Sequence, residues 1–105
     1  MFATVRRYEG IDSSNIDELT KKVGESLAPK LSKMPGFSSY FLIDTGNGVM
    51  SSIGLFETST QANDSTRVAA EWVRDEKLER ILQNPPKVTD GEVIVHKTTN
   101  GAVKA

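Results

Sequence analysis

There is no cysteine among the 105 residues, and only one histidine. The first absence excludes disulfides, thiolate metal sites and a cysteine nucleophile. The second leaves His96 alone, too few ligands for a histidine-rich metal site, and no metal or organic cofactor is expected. Charge of neither sign dominates: 13 Lys and Arg against 14 Asp and Glu leave a net charge of -1. No broad basic field therefore invites nucleic acid or an anionic membrane surface. No apolar run approaches the ~20 residues of a membrane helix. Met1 to Gly10 contains no apolar stretch of signal-peptide length. A cytoplasmic protein with neither nucleic-acid nor membrane partners is expected. There is no nucleophile elbow. The one glycine cluster, Thr45-Gly46-Asn47-Gly48, lacks the following helix and the Lys-Ser/Thr pair of a phosphate loop.

What is present reads as a single domain over residues 1–97 with a C-terminal tail, 98–105, of little apolar content. Phe2 to Tyr8 is a strand with Phe2, Thr4, Arg6 and Tyr8 on one face and Ala3, Val5 and Arg7 on the other. Ser13 or Ser14 is the expected N-cap of a helix. Ile16, Leu19, Val23, Leu27 and Leu31 form its apolar stripe. Gly24 and Pro29 predict a kink or break near Ser26. Met34-Pro35-Gly36 ends the helix. A hairpin follows, with Asn47-Gly48 as its turn. Thr58-Ser59-Thr60 caps a second helix carrying Ala62, Val68, Ala69, Trp72 and Val73, and Asn84-Pro85-Pro86 stops it. Val88 to Lys97 holds the last strand, with a turn or bulge at Asp90-Gly91.

The hairpin organises the rest. Tyr40 to Ile43 is apolar on both faces. In the next strand Val49, Ile53 and Leu55 face one way, Met50 and Phe56 the other. A half-buried hairpin alternates apolar with polar, so both faces of this one need cover. The element order, βαββαβ, is the ferredoxin-like split βαβ pattern: an α+β fold with both helices on one face of an antiparallel sheet. The other face predicts a homodimer packed sheet against sheet.

The element order, the Met34-Pro35-Gly36-Phe37 junction, the Tyr40 to Asp44 strand and Ala70-Glu71-Trp72-Val73 on the second helix resemble the antibiotic biosynthesis monooxygenase-like (ABM) family. The resemblance spans roughly Phe2 to Lys97. It implies a protomer that joins a second one as a dimeric α/β barrel, with a small-molecule pocket between each sheet and its own helices. It further implies a choice of activities. Some members oxidise aromatic polyketides with oxygen and neither metal nor flavin, some degrade haem with a helix-borne histidine, and many have no known activity. His96 lies on the last strand, which departs from the haem-degrading pattern.

The candidate site residues follow from chemistry. Trp72 and Tyr40 are expected to line the pocket and bind substrate, each with a core-packing role as the alternative. Arg6 and Arg7 are either solvated strand ends or a clamp for a carboxylate, which the planar guanidinium fork suits. Asn63 belongs near the helix start, in a capping or exposed role. Ser51 and Ser52 are expected to make structural hydrogen bonds within their strand. No catalytic base is assigned. Two functions stay open: a cofactor-independent monooxygenase acting on a small aromatic molecule, or a non-catalytic dimer that binds a metabolite.

Overall fold

A computed structural model describes residues 1–99. Residues 100–105, most of the expected tail, lie outside it. The element order is β1 (Phe2–Tyr8), α1 (Ile16–Lys22), a π-helical turn (Val23–Leu27), α2 (Ala28–Ser32), β2 (Phe37–Gly46), β3 (Val49–Phe56), α3 (Ser59–Asp75) and β4 (Lys87–Glu92). Single 3-10 turns precede α1 and follow α3. The four strands form one antiparallel sheet in the order β2-β3-β1-β4. This is the ferredoxin-like α+β fold.

Local chemistry explains most element boundaries. Asn47 and Gly48 both take positive φ, 57° and 76°, the turn geometry that matches the twist of paired strands. Gly48 is also pressed against the backbone of Ile11, so a side chain has no room there. Ile11 N–H donates to the Gly48 carbonyl at 3.0 Å, tying the β1–α1 loop to the hairpin tip. Thr58 and Gln61 form a reciprocal capping box at the start of α3, satisfying two amides that the helix leaves free. At the first helical segment the cap falls one residue earlier than expected. Asp12, rather than Ser13 or Ser14, accepts from the Ser14 amide at 2.9 Å.

The break expected near Ser26 is instead a widened turn. Ala28 N–H reaches back to the Val23 carbonyl, one residue beyond the α-helical spacing. Pro29 sits in the first turn of α2, where its missing N–H is tolerated. The apolar stripe survives the change of pitch: Leu19, Val23, Leu27 and Leu31 are all buried. They meet Met50, Ala69, Trp72, Leu78 and Ile81 in one core between sheet and helices.

The last strand is shorter than expected. It ends at Glu92, because β1 begins at Phe2 and the final tie is Val93 N–H to the Met1 carbonyl, 2.9 Å. Ile94 and Val95 run past the end of their partner and are 87% and 84% exposed. On the sheet face away from the helices Phe41 is 52% exposed, and Ile43 is exposed too. Val5, Ile53 and Leu55 lie in register between them and β4, only partly buried.

The capping box supplies a direct test of this architecture. Thr58→Ala should lower the unfolding free energy by about 1 kcal/mol with an unchanged denaturant slope, read by urea titration. No change in midpoint would mean that the cap is made in the unfolded chain as well.

Candidate functional site

Period-2 alternation sends the two adjacent arginines of β1 to opposite faces. Arg7 points away from the helices and binds the Glu9 carboxylate at 2.7 Å. That hydrogen bond, with the nearby Lys87 charge, holds the Glu9 carboxyl below its ordinary value. Arg6 points inward and is 2% exposed. Its guanidinium makes one long hydrogen bond, Nη1 to Thr66 Oγ1 at 3.4 Å, and its Nε has no partner. Among the described residues no carboxylate lies within ion-pairing distance of it. Burying an uncompensated charge costs on the order of several kcal/mol, so this arrangement is not a neutral detail of packing.

Around Arg6 the sheet and helices leave two adjoining spaces. The outer one is an open cleft of about 310 Å³ between β1, α3 and the segment that follows α3. Tyr8, Ala70, Val73, Leu82, Pro85 and Pro86 give it largely apolar walls, with Arg74, Glu79 and Asn84 among the remaining lining residues. The inner one is a cavity of about 20 Å³ beneath the helices. Arg6, Tyr8, Val73 and Leu82 line both. A separate groove of about 270 Å³ runs between the first helix and the hairpin, and Tyr40 lines it together with the inner cavity.

The two expected site residues meet in the inner cavity: Tyr40 and Trp72 both line it. Burial pushes the Tyr40 phenol above its ordinary value, and the Arg6 charge opposes the rise. Ser52 Oγ also lies close enough to the phenol to oppose it, but without hydrogen-bonding geometry, and it is left without a partner. Trp72 is 3% exposed and belongs to the core. Its indole N–H donates to Ser26 Oγ at 2.9 Å across the helix pair. The widened turn is therefore the segment that presents Ser26 to Trp72. Ala69 lines the inner cavity together with Trp72. Gly54 instead closes against Phe56, Thr4 and Tyr40.

The remaining candidates stay apart from this site. Asn63 is exposed on α3, and His96 is exposed beyond the end of β4. Ser51 is half-buried on the outer face, whereas Ser52, paired with Arg6 in the sheet register, is buried on the inner one. The structural hydrogen bond expected of Ser52 is not made. Tyr8 and Thr66 join the site unannounced. The alternation of β1 placed Tyr8 beside Arg6, but nothing in the sequence placed Thr66 opposite them. Among the described residues no cluster of carboxylates and histidine is arranged to hold a metal ion.

Two outcomes follow from this geometry. The folded Tyr40 pKa lies above that of the unfolded chain, so the native state keeps its proton longer. Stability should hold below pH 10.0, the ordinary phenol value, and fall as pH rises past it. Tyr40→Phe should remove that fall, as read by chemical denaturation across the alkaline range. For Trp72, a double-mutant cycle of Trp72→Phe with Ser26→Ala should give a coupling of about 1 kcal/mol. A coupling near zero would mean that the indole's place is set by packing alone.

No protein-family model matches the sequence, and no curated protein matches it. Solved structures do resemble the fold. NE2512, a protein of unknown function from Nitrosomonas europaea, matches with a TM-score of 0.74 at 18% identity, covering 95% of each chain. A variant of MhuD with two manganese protoporphyrin IX molecules bound per active site matches with a TM-score of 0.74 at 15% identity, over 94% of this chain and 100% of that one. The monooxygenase from the gene ActVA-Orf6 of Streptomyces coelicolor, in complex with Nanaomycin D, matches with a TM-score of 0.66 at 17% identity, over 99% and 91%. Others of this fold are described as antibiotic biosynthesis monooxygenases. Identities this low establish architecture and leave chemistry open. The chain has the ferredoxin-like fold of the antibiotic biosynthesis monooxygenases.

Proposed function

We propose that this protein is a homodimeric, cofactor-independent monooxygenase that holds a small aromatic molecule between its sheet and its helices. The observation that carries the reading is the pair of adjoining spaces at Arg6, a largely apolar cleft of about 310 Å³ beside an inner cavity lined by the half-buried Tyr40 and the buried Trp72. Its volume is near the lower end of the roughly 300–1,000 Å³ typical of small-molecule sites. The ActVA-Orf6 monooxygenase has the same fold and binds Nanaomycin D as a ligand, which supports a small organic molecule as the occupant here.

The chemistry asks little of the protein. A phenol and one O2 give a quinone and one water; all four electrons come from the substrate, so no external reductant is consumed. The fold would supply orientation and exclusion of water. Tyr40, whose phenol lines the inner cavity in its neutral form, would donate a hydrogen bond to an oxygen of the bound ring. A second reading, binding without catalysis, is favoured by one feature: the Trp72 indole N–H is already engaged by Ser26 and has no hydrogen bond to offer a ligand.

Oxygen uptake with 1-naphthol separates them. The oxygenase reading predicts one O2 consumed per quinone formed, with Tyr40→Phe slower by about 10- to 100-fold. Binding without uptake selects the second reading, and neither binding nor uptake defeats both. The dimer is supported by the apolar outer face, on which Phe41 and Ile43 are exposed. Sedimentation at micromolar concentration should give twice 11.5 kDa, and Ile53→Lys, in the middle of that face, should give 11.5 kDa. A wild-type monomer at that concentration removes the dimer from the account.

A further inference from the structure

We propose that the molecule accepted by the cleft is an aromatic carboxylate, and that Arg6 binds its carboxyl group. The inference rests on the ligand-binding part of the reading above and adds to it the charge of the ligand. Arg6 lies on the inner face of a central strand, 2% exposed, with Nε unpartnered, a long 3.4 Å contact from Nη1 to Thr66 Oγ1, and the Tyr40 phenol close by. Buried cations are ordinarily paired, because desolvation is otherwise uncompensated. Here no carboxylate of the described chain supplies the pair, and the guanidinium lines a cleft through which one can arrive.

A second orphan stands opposite. Ser52 is the register partner of Arg6 on β3, is 1% exposed, and its Oγ bonds to nothing. Arg6, Ser52 and Tyr40 all line the inner cavity, and each carries a hydrogen-bond donor. At about 20 Å³ the cavity holds one oxygen atom with its share of space; a water needs about 10–15 Å³ by a similar measure. A carboxylate fits, with one oxygen in the inner cavity and the other on the cleft side of the guanidinium, because Arg6 lines both spaces. The guanidinium fork favours this two-oxygen partner over a single-oxygen one. A lone water would satisfy Ser52 but would not neutralise Arg6. Beyond the guanidinium Tyr8, Val73, Leu82 and Pro86 offer apolar walls that suit a ring, while Arg74, Glu79 and Asn84 also line the cleft.

The test is calorimetric titration with 2-naphthoate and with 2-naphthamide, which has the same shape and no charge. Wild-type protein should bind the acid at least about tenfold more tightly than the amide. In Arg6→Met the amide should still bind and the preference should collapse toward unity. The ligand-free variant should melt no lower than wild type, because a buried charge without a partner has been exchanged for an apolar chain of similar length. Equal affinities of wild type for acid and amide would overturn the carboxylate anchor while leaving the aromatic cleft in place. Binding of neither would overturn both the anchor and the reading it rests on. A ligand-free Arg6→Met that melts well below wild type would show that the guanidinium already has its partners, and would also overturn the proposal.

Discussion

A guanidinium with no counter-ion among the described residues sits under the helices of this protein, and the architecture of the site is arranged around that constraint. Arg6 is fixed by β1, whose neighbours β3 and β4 pair with it on both sides, so its direction is not adjustable. Thr66 on α3 gives it one weak bond. Ser52 and Tyr40, which line the inner cavity with it, are a hydroxyl without a partner and a phenol whose pKa burial raises. None of these groups brings a negative charge. In the proposed reading the same residues leave the interior short of one acceptor, and the adjoining spaces would admit it.

The core beside Arg6 is closed by different means. Pro29 forbids one helical hydrogen bond, and the chain absorbs the loss by widening the preceding turn rather than breaking. Ser26 in that turn accepts from Trp72, so the first helical segment and α3 are tied across the top of the sheet. The tie makes Trp72 a roof over the inner cavity rather than a wall of the open cleft, which Tyr8, Val73 and Leu82 provide. In the proposed reading, positioning of a ligand ring and integrity of the fold would thus fall on different side chains.

Much of the fold was readable because it is locally encoded. Asn47-Gly48 fixes the hairpin, Thr58 with Gln61 starts α3, and alternation alone separates Met50 and Phe56 from Ile53 and Leu55. The end of β4 was not readable in this way. Val93, Ile94 and Val95 continue a strand pattern, but pairing stops where β1 stops, and only the sheet register reveals that. The site divides similarly. Alternation in β1 separates Arg6 from Arg7, and the helical stripe turns Trp72 inward. That Arg6 finds no carboxylate among the described residues is a statement about which side chains stand across from it, in β3 and α3. Those long-range neighbours are set by topology and register, and no spacing in the sequence records them. The bond between Trp72 and Ser26, 46 residues apart, was hidden for the same reason.

The central claim is that the buried guanidinium is a receptor for an anion, and its orphaned nitrogen can be observed directly. The Arg6 Nε–H signal in a nitrogen–proton correlation spectrum is assigned by its loss in Arg6→Met. Titration with 2-naphthoate should move that signal downfield and slow its exchange with water, as a charge-assisted hydrogen bond forms. A signal that stays in place while the acid saturates elsewhere on the protein would contradict the account.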